Sequence, residues 1–581
     1  MNWIKTTIIV FLMGLPSITL AASKPNVIVV LTDDQGYGEI GAHGNDIIKT
    51  PNLDLLHQQS VRLTDFHVAP KCAPTRAALM TGVYPRRAGV WHTVAGVSLM
   101  RPEIPSMAEV FSDAGYRTAM FGKWHLGESY PLRPHDRGFD EVFWHKGGGV
   151  GQTPDYFGND YGQFNDNTSK DTYFRKDTPE VAEGYVTDIW FREAIEFIEQ
   201  NKEEPFFVWL ATNAAHTPYN VDRKYSDPYE GKGVNSKFYG MIANIDENMG
   251  YLMKKLDKLS LSDNTIVIFM SDNGSSAPTY NAGMRSIKSS VYDGGHRVPF
   301  FIRWPAGKLN HGNDVPQLTS HFDVLPTLIN LAQLTKPAKA KLDGIDFSSL
   351  LKGETNWPER KIIVEVQSIQ VPKKYNGPSV EKNIGNVVMT SKWRWANYHE
   401  LYDIKADPGQ KHNVAKAHPQ VMAELEQAYE NWWTDVSGRN HDYVEMILGD
   451  DKENPVLLTA HDWHPDVGEV TPWNQRMIRE GKAQTGWWSV NVAHAGKYKI
   501  SLRRWPKEAA GLLEFGKSAK LKIGGQEYTK AFNPRKDTVV NFEVDLQKGS
   551  TKLQGWLDKD HGAYFVDVER INKVEVAMNK L

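Results

Sequence analysis

The sequence predicts an α/β protein in which helices cover both faces of a mostly parallel central sheet, followed by two smaller parts rich in β-strands. Apolar runs alternate with helical patterns up to about residue 360, which is typical of a parallel sheet buried on both faces. Shorter strand patterns follow, and runs that alternate apolar with polar residues begin near residue 454. We therefore expect an α/β domain at 23–360, a small antiparallel α+β subdomain at 361–453 and an all-β, sandwich-like module at 454–581.

The first 22 residues have the pattern of a secretory signal peptide. Lys5 precedes a short apolar core at 8–15, and small residues follow at 19–22. This core is too short to span a bilayer, and no later run of the sequence approaches the necessary length. We expect an exported protein, periplasmic or secreted, without a transmembrane anchor. With a single cysteine, it has no internal disulfide bond.

The composition gives no sign of a nucleic-acid partner. The formal net charge is -3, whereas nucleic-acid binding needs a clustered basic surface. The 18 tryptophans and 23 tyrosines are compatible with stacking on sugar rings, although aromatic residues of a large β-rich protein more often belong to the core.

Four apolar runs predict strands of the central sheet, and each is followed by charged or metal-ligating residues. The runs cover residues 26–31, 117–121, 206–210 and 265–270. A turn also favours Asp, Asn and Gly, so each ending taken alone has a second interpretation. Together they predict one site, because the carboxyl ends of parallel strands meet at one edge of the sheet. The residues concerned are Asp33, Asp34, Lys123, His125, His216, Asp272 and Asn273.

The remaining elements follow from apolar spacing. Helices are predicted at 181–200, 237–259 and 322–332, and a further strand at 298–303. In the subdomain we expect strands at 361–366, 386–390 and 393–398, a loop that opens at 400 and a helix at 421–433. The all-β module should contain strands at 487–492, 496–505, 521–523, 539–546, 552–557 and 563–571.

The residues at the predicted sheet edge favour a metal-assisted reaction on an oxyanion. Two aspartates after the first strand and Asp272-Asn273 after another offer only oxygen ligands, which select calcium or magnesium rather than zinc. Basic side chains beside such a cation suit a sulfate ester, a phosphate ester or a phosphonate, and histidines would transfer protons near neutral pH. The basic residues are Arg76, Lys123 and Lys288.

The single cysteine lies in a distinctive stretch at 71–82. In Cys72-Ala73-Pro74-Thr75-Arg76 the proline limits where a helix can begin, and the residues 77–80 have the pattern of a first helical turn. Cys72 would then lie at or just before a helix N-terminus, where negative charge is favoured. An unpaired cysteine is more often a buried, inert side chain, so the position alone leaves both interpretations open.

This stretch, Cys-x-Pro-x-Arg followed by Ala-Ala-Leu-Met-Thr-Gly, resembles the signature of the type I sulfatases, arylsulfatase-like enzymes of the alkaline phosphatase superfamily. The resemblance covers about residues 25–415 and implies an alkaline phosphatase-like fold. It also implies that a formylglycine-generating or sulfatase-maturing enzyme oxidises Cys72 to formylglycine, whose hydrate is the nucleophile. The implied ligands of one calcium ion are Asp33, Asp34, Asp272, Asn273 and the formylglycine from Cys72.

The resemblance implies a role for each remaining residue of the set. Arg76 would steady the hydrate, while Lys123 and His125 would contact the hydrate and the sulfate. His216 would lie near the leaving-group oxygen and protonate the departing alcohol, alone or together with Lys288, and His125 would then assist the release of sulfate. Lys288 would bind the sulfate; the family usually has glycines around this lysine, where this chain has Ser286, Ile287 and Ser289.

The substrate is less clearly indicated than the reaction. Export and the aromatic-rich module favour a sulfated polysaccharide or its oligosaccharides. The glycine-rich loop at 146–160 is a candidate for substrate contact, although a purely structural loop is an equal alternative. The candidate substrate-binding residues are His135, Arg137, Asp155 and Asn159. Trp487, Trp488 and Trp556 would suit a carbohydrate-binding role of the module, but packing onto the catalytic domain fits at least as well.

Two other functions are compatible with parts of this pattern. A phosphoester or phosphonate hydrolase of the same superfamily would often use two zinc ions, and the second ligand set is missing from the sequence. A non-catalytic glycan-binding protein would leave Cys72 unmodified and would not need two proton-transferring histidines. We expect an enzyme, a sulfuric ester hydrolase.

Overall fold

The structure is a computed structural model that describes residues 24–161, 170–278, 280–338, 341–366, 385–466 and 471–571. The predicted signal peptide at 1–22 lies outside the described residues.

A ten-stranded mixed sheet forms the centre of the N-terminal part, in the order β11-β2-β10-β9-β1-β8-β4-β5-β6-β7. The strands of this part are β1 (Asn26–Thr32), β2 (Val61–Leu63), β3 (Phe66–His67), β4 (Arg117–Lys123), β5 (Glu141–His145), β6 (Lys170–Arg175), β7 (Thr178–Glu183), β8 (Phe206–Ala211), β9 (Thr265–Ser271), β10 (Phe300–Arg303), β11 (Asp314–Val315) and β12 (Thr319–Ser320).

The four predicted strands are the parallel middle of this sheet. β9, β1, β8, β4 and β5 pair in parallel, whereas β10 and β6 pair antiparallel at either side. Every residue of β1, β8 and β9 is buried, as the continuous apolar runs predict. Successive side chains of β1 enter two different cores: Val27 and Val29 lie on one face and Ile28 and Val30 on the other. The predicted α/β sandwich is therefore confirmed, with antiparallel strands added at its edges.

Helices cover both faces, and the longest were predicted to within a few residues. The helices of the described residues are α1 (Pro51–Gln58), α2 (Cys72–Thr81), α3 (Met107–Asp113), α4 (Val186–Gln200), α5 (Arg223–Ser226), α6 (Ser236–Lys258), α7 (Asp293–His296), α8 (Val324–Leu331), α9 (Ser348–Leu351), α10 (Pro419–Val436) and α11 (Gln475–Glu480). The predicted helix at 181–200 begins too early. Residues up to Glu183 belong to β7, Gly184 has a φ of 107°, and the side chain of Val181 is exposed.

The subdomain is a four-stranded antiparallel sheet packed against α10. Its strands are β13 (Ile362–Glu365), β14 (Asn386–Met389), β15 (Trp393–Ala396) and β16 (Glu400–Asp403). The prediction of a loop from residue 400 was wrong, because 400–403 pairs with β15. Leu401 and Trp395 pack with Tyr429 of α10, which explains why these residues form the fourth strand.

The C-terminal module, defined as the described residues from 446 to 571, contains two antiparallel-rich sheets. Its strands are β17 (Met446–Leu448), β18 (Val456–Thr459), β19 (His464–Pro465), β20 (Gly486–Val492), β21 (Gly496–Arg503), β22 (Ser518–Ile523), β23 (Gln526–Ala531), β24 (Val540–Leu546), β25 (Gly549–Trp556) and β26 (Phe565–Arg570). One sheet has the order β17-β20-β25-β22-β23 and the other β18-β26-β21-β24. β17 precedes the boundary placed at 454 and pairs with β20.

The core of this module also includes two residues of the N-terminal part. Leu99 and Leu132 pack in the same apolar cluster as Trp463 and Trp488. The module is therefore joined to the α/β domain by a shared core. Among the helices of the described residues, none has the length and apolar character needed to cross a membrane.

Replacing Trp488 by alanine tests the core of the C-terminal module. Trp488 is fully buried and donates from Nε1 to the carbonyl oxygen of Thr459 at 2.8 Å. We expect Trp488→Ala to lower the free energy of unfolding by about 3–5 kcal/mol. Denaturant unfolding followed by fluorescence measures this. The half-buried Trp556 is the control, and an equal loss in Trp556→Ala would contradict the assignment of Trp488 to the core.

Candidate active site

The parallel strands bring their C-terminal residues to one edge of the sheet, as predicted. Asp33 and Asp34 follow β1, and Asp272 follows its parallel neighbour β9. Lys123 is the last residue of β4, on the other side of β8. These side chains are all buried, so the edge is a closed polar cluster rather than an open surface.

Cys72 lies at this edge as the first residue of α2. The helix begins here and not at Ala77, because Pro74 occupies the first turn, where its missing N–H has no partner to lose. The Cys72 side chain is 2% exposed, and burial raises the pKa of its thiol to about 12. A thiol held neutral in this way is a poor nucleophile, so the unmodified cysteine is badly suited to catalysis.

Three carboxylates surround the sulfur. One ligand atom from each of Asp33, Asp34, Cys72 and Asp272 lies within 4.8 Å of the others. Burial and the charge of Asp272 raise the pKa of Asp33 to about 8. The Oδ1 atoms of Asp33 and Asn273 are buried and have no hydrogen-bond partner among the described residues. Unsatisfied oxygens beside crowded carboxylates are the donor set that a hard divalent cation binds, so these residues fit a calcium ion.

Basic side chains neutralise part of this charge. Lys123 Nζ lies 2.6 Å from Asp33 Oδ2. Arg76 donates to Asp272 Oδ2 from Nε at 3.0 Å and from Nη2 at 2.8 Å, and its Nη1 donates to the carbonyl oxygen of Lys123. The arginine therefore joins α2 to the ends of β9 and β4, which fixes the position of Cys72 relative to the carboxylates.

Lys288 reaches the cluster from the segment before α7. Its ammonium contacts the carboxylate of Asp34 and lies 3.4 Å from Cys72 Sγ. Although burial acts to raise the pKa of Asp34, the charges of Lys288 and His216 hold it well below its usual range. Ser286 and Ser289 have φ values of 68° and 64°, a conformation that glycine adopts more easily. The serines accept this backbone conformation, so the lysine still reaches the cluster.

The two predicted histidines line the same cavity as Cys72 and are oriented by backbone carbonyls. His125 Nε2 donates to Thr93 O at 2.7 Å, which leaves Nδ1, buried and without a described partner, as a proton acceptor. His216 Nδ1 donates to Thr217 O at 2.6 Å, and its Nε2 is 3.8 Å from Asp34 Oδ2. Burial lowers the pKa of His216 to about 4 and that of His125 below its usual range, so both rings are neutral.

A cavity of about 320 Å³ opens above the cysteine. This volume is at the small end of ligand pockets. It is lined by Lys71, Cys72, His92, Thr93, Val94, His125, Gly148, Gln152, His216, Lys288, Ser289 and Trp473.

The four candidate substrate-binding residues do not line the cavity. Arg137 donates to the carbonyl oxygens of Arg101 and Ile104, and His135 faces Asp177. These contacts stabilise the short helical turn at 134–136 and the segments around it.

Asp155 and Asn159 stabilise the glycine-rich loop from within. Asp155 accepts from the backbone N–H of Gly151 at 2.9 Å, and Asn159 Nδ2 donates both to Asp155 and to Thr172 O. Both side chains are buried. The loop does reach the cavity, but through Gly148 and Gln152.

Several cavity residues were missed from the sequence. Lys71, next to Cys72, lies with Nζ 2.6 Å from His92 Nε2, and burial together with Lys288 lowers its pKa to about 8. Its position beside the cysteine was the available signal. Trp473 comes from the C-terminal module, and no local pattern marks it as part of a site built at the distant sheet edge.

Comparisons with known proteins agree with this geometry. The sequence profile of the Sulfatase family matches residues 25–334, which is more than half of the chain. A second profile, N-sulphoglucosamine sulphohydrolase, C-terminal, matches residues 287–434. N-acetylgalactosamine-6-sulfatase of Mus musculus is 30% identical over 440 residues, 69% of this chain and 78% of that protein.

A bacterial sulfatase and a solved crystal structure are also similar to this chain. N-acetylgalactosamine-6-O-sulfatase of Bacteroides thetaiotaomicron is 29% identical over 493 residues, 71% of this chain and 93% of that protein. The crystal structure of Ps i-CgsB in complex with k-i-k-neocarrahexaose superimposes with a TM-score of 0.62 at 26% identity, covering 72% of this chain and 99% of that one. The chain therefore belongs to the sulfatase family, with the alkaline phosphatase-like fold and the sulfuric ester hydrolase activity of that family.

Proposed function

We propose that this sulfatase removes sulfate from a polysaccharide or its oligosaccharides, with a formylglycine made from Cys72 and one calcium ion. The observation that carries the proposal is the position of Cys72, whose sulfur lies among three carboxylates and beside Lys288. The sulfur marks where the oxygens of a formylglycine hydrate would lie. Carboxylate neighbours disfavour the thiolate form of an unmodified cysteine, whereas a cation held by the same carboxylates would favour an ionised hydrate there.

Calcium would be held by the two aspartates after β1 and by Asp272 and Asn273 after β9. When bound, it would act as a Lewis acid on the reacting oxygens. Arg76 holds Asp272 in position through two hydrogen bonds. Lys123 and Lys288 would stabilise the negative charge that develops on the sulfuryl oxygens, since both ammonium groups already lie at the cluster.

The histidines have orientations that suit two different proton transfers. The Nδ1–H of His216 donates to Thr217 O, so Nε2 is the nitrogen left for the leaving-group oxygen; it would protonate that oxygen only as the imidazolium, after Nε2 has taken up a proton. His125 has the opposite arrangement, with Nε2 occupied and Nδ1 open as a base. We assign His125 to the step that releases sulfate.

A sulfated carbohydrate is the proposed substrate. The relatives in Mus musculus and Bacteroides thetaiotaomicron are named for N-acetylgalactosamine 6-sulfate, and Ps i-CgsB was crystallised with a neocarrahexaose. These names give the first compounds to assay, namely N-acetylgalactosamine 6-sulfate and sulfated carrageenan oligosaccharides. We also propose export through residues 1–22 and a formylglycine-generating or sulfatase-maturing enzyme as partner.

A two-metal phosphohydrolase is less well supported. Among the described residues, two of the three groups of side chains able to hold a metal share Asp34 and Cys72 and form one site. The third, His67 with Asp293 and His296, lies beside Arg394, which donates to Asp293. A guanidinium there already neutralises the carboxylate, so no second cation is needed. Assays with a phosphate monoester, in which we expect no comparable turnover, discriminate the two functions.

Replacing Cys72 tests the nucleophile. We expect Cys72→Ala to lower sulfate release by at least about a thousandfold, because no other side chain can replace the hydrate. Cys72→Ser, which keeps the size of the side chain, should be equally inactive when it is produced with a converting enzyme that acts only on cysteine. Mass spectrometry of the Cys72 peptide should show the aldehyde or its hydrate in active wild-type protein. Substantial turnover by Cys72→Ala with unchanged thermal stability would overturn the assignment.

Calcium removal tests the metal site. We expect chelation to abolish turnover and to lower the unfolding temperature, and readdition of calcium to restore both, because the ion binds only the folded state. At a hundred times its dissociation constant, calcium should add about 2.7 kcal/mol to the free energy of unfolding.

Asn273→Ala should weaken this calcium response, since it removes the unpartnered Oδ1. The matched control is Asn244→Ala, a buried asparagine of α6 that donates to Asp188 and should lose stability without losing the calcium response. An unchanged response in Asn273→Ala would contradict the proposed ligand set.

Gly148 tests the position of His125. A Cβ at Gly148 would overlap the imidazole of His125, whereas one at Gly149 would lie 3.3 Å from Gln152 Nε2 and 3.8 Å from His216 Nδ1. We expect Gly148→Ala to lower kcat by about a hundredfold through displacement of the ring. Gly149→Ala is the matched control and should lose far less activity. Equal kinetics of the two variants would show that the close packing against His125 does not matter.

A further inference from the structure

We propose that Trp473, a residue of the C-terminal module, is the platform on which a sugar ring of the substrate stacks, and that the side-chain amide of Gln152 donates to the same sugar. The inference rests on the proposed function, since it concerns the cavity above Cys72. It assigns to the module a part in substrate selection, next to the reacting sulfate, rather than a remote role in glycan attachment.

Trp473 has a large accessible surface although it lies in the cavity wall. It lines the cavity, yet 38% of its surface is accessible. Other tryptophans of the module are covered: Trp487 by the ammonium of Lys552 at 3.8 Å and Trp556 by that of Lys520 at 5.1 Å. A broad aromatic face inside a concave polar pocket offers stacking to the apolar C–H face of a pyranose ring.

The backbone that carries Trp473 is joined to the glycine-rich loop. Thr153 donates from its N–H to Trp473 O at 3.0 Å and from Oγ1 to Pro472 O at 2.6 Å. Gln152 and Asn474 form an antiparallel bridge. Trp473 is thus fixed on both sides by a short two-stranded contact between segments far apart in the sequence.

Gln475 completes this junction. It is 1% exposed, and its Nε2 donates to the carbonyl oxygens of Gln152, Asp155 and Tyr156 at 3.2, 3.3 and 3.2 Å. Its Oε1 accepts from the N–H of Gly158 at 3.0 Å. A buried amide with four hydrogen bonds to the glycine-rich loop holds the C-terminal module firmly against that loop. The module and the loop therefore form one wall of the cavity.

Gln152 supplies the polar contact on that wall. Its Oε1 accepts from the N–H of Gly148 at 2.9 Å, which fixes the orientation of the amide. The residue is 8% exposed and lines the cavity, and its Nε2 has no hydrogen-bond acceptor among the described residues. An amide donor on the cavity wall whose carbonyl group is already held in place is available to an acceptor of the ligand. A sugar hydroxyl beside the stacked ring provides one.

The chemistry of this wall selects a class of substrate. An aromatic platform and an amide donor recognise the C–H face and a hydroxyl of a pyranose ring, while the cation site and lysines would recognise its sulfate. A simple alkyl sulfate would use only the second set. The wall therefore adds specificity for carbohydrate without taking part in the chemistry.

The experiment compares recognition of sugar with recognition of sulfate in the same protein. The substrate is whichever of N-acetylgalactosamine 6-sulfate and sulfated carrageenan oligosaccharides the converted wild type cleaves faster. Inorganic sulfate is the competing inhibitor. For Trp473→Ala we expect a ten- to hundredfold rise in KM with kcat within about threefold, and an unchanged Ki for inorganic sulfate. Trp473→Phe should stay within about threefold of wild type.

Two further variants keep the result interpretable. Trp473→Leu retains apolar volume without an aromatic face, and we expect it to behave like Trp473→Ala. Trp556→Ala, in the same module but outside the cavity, should leave KM and Ki unchanged. Melting temperatures of all variants are recorded, and those of the Trp473 variants should match wild type because the side chain is partly exposed.

The outcomes separate this inference from the function on which it rests. If the wild type cleaves the carbohydrate and KM is unchanged in Trp473→Ala and Trp473→Leu, the platform is refuted and the proposed function stands. A matching rise in KM and in Ki for sulfate would also refute it, since the anion site would then be damaged. If converted wild type releases sulfate from no carbohydrate, the proposed function fails and the inference fails with it.

Discussion

The buried ion pairs at the carboxyl edge of the sheet are the constraint on which the rest of the site depends. Asp33 with Lys123 and Asp272 with Arg76 lie almost entirely out of water. Removing one partner from such a pair leaves a buried charge, which costs about 3–5 kcal/mol. The partners come from β1, β4, β9 and α2, so the charges also hold these elements in register. These pairs use only some of the oxygens at the edge, and the unpartnered Oδ1 atoms of Asp33 and Asn273 are left as ligands for the proposed divalent cation.

Much of the fold and of the catalytic cluster follows from local sequence. Parallel strands share an edge whatever their order, so four apolar runs with polar endings were enough to bring Asp33, Asp272 and Lys123 together. The elements that were predicted wrongly are those whose conformation depends on the strands and helices packed beside them. Thr178–Glu183 forms an exposed edge strand because β6 lies beside it, and Glu400–Asp403 is a strand because β15 and α10 cover it. Neither outcome can be predicted from the spacing of apolar residues within the segment itself.

The substrate side of the cavity was less predictable for a related reason. The glycine-rich loop was located correctly, but its composition does not show which side chains turn inward. Gly147 and Gly151 have positive φ values, and these turns direct Gln152 to the cavity while Asp155 and Asn159 remain inside the loop. Trp473 depends on the pairing of two segments from different parts of the chain, and such pairings leave no trace in the spacing of residues within either segment.

The burial of Cys72 limits when another enzyme could modify this residue. A residue 2% exposed, at the start of a helix whose ten residues are all buried, cannot enter the active site of a second protein once the sheet has closed over it. The proposed conversion to formylglycine would therefore act on the segment while it is still extended, before the sheet closes over it. A chain that folded before this conversion would keep its thiol. Under this proposal the yield of active enzyme would depend on the rate of conversion relative to the rate of folding.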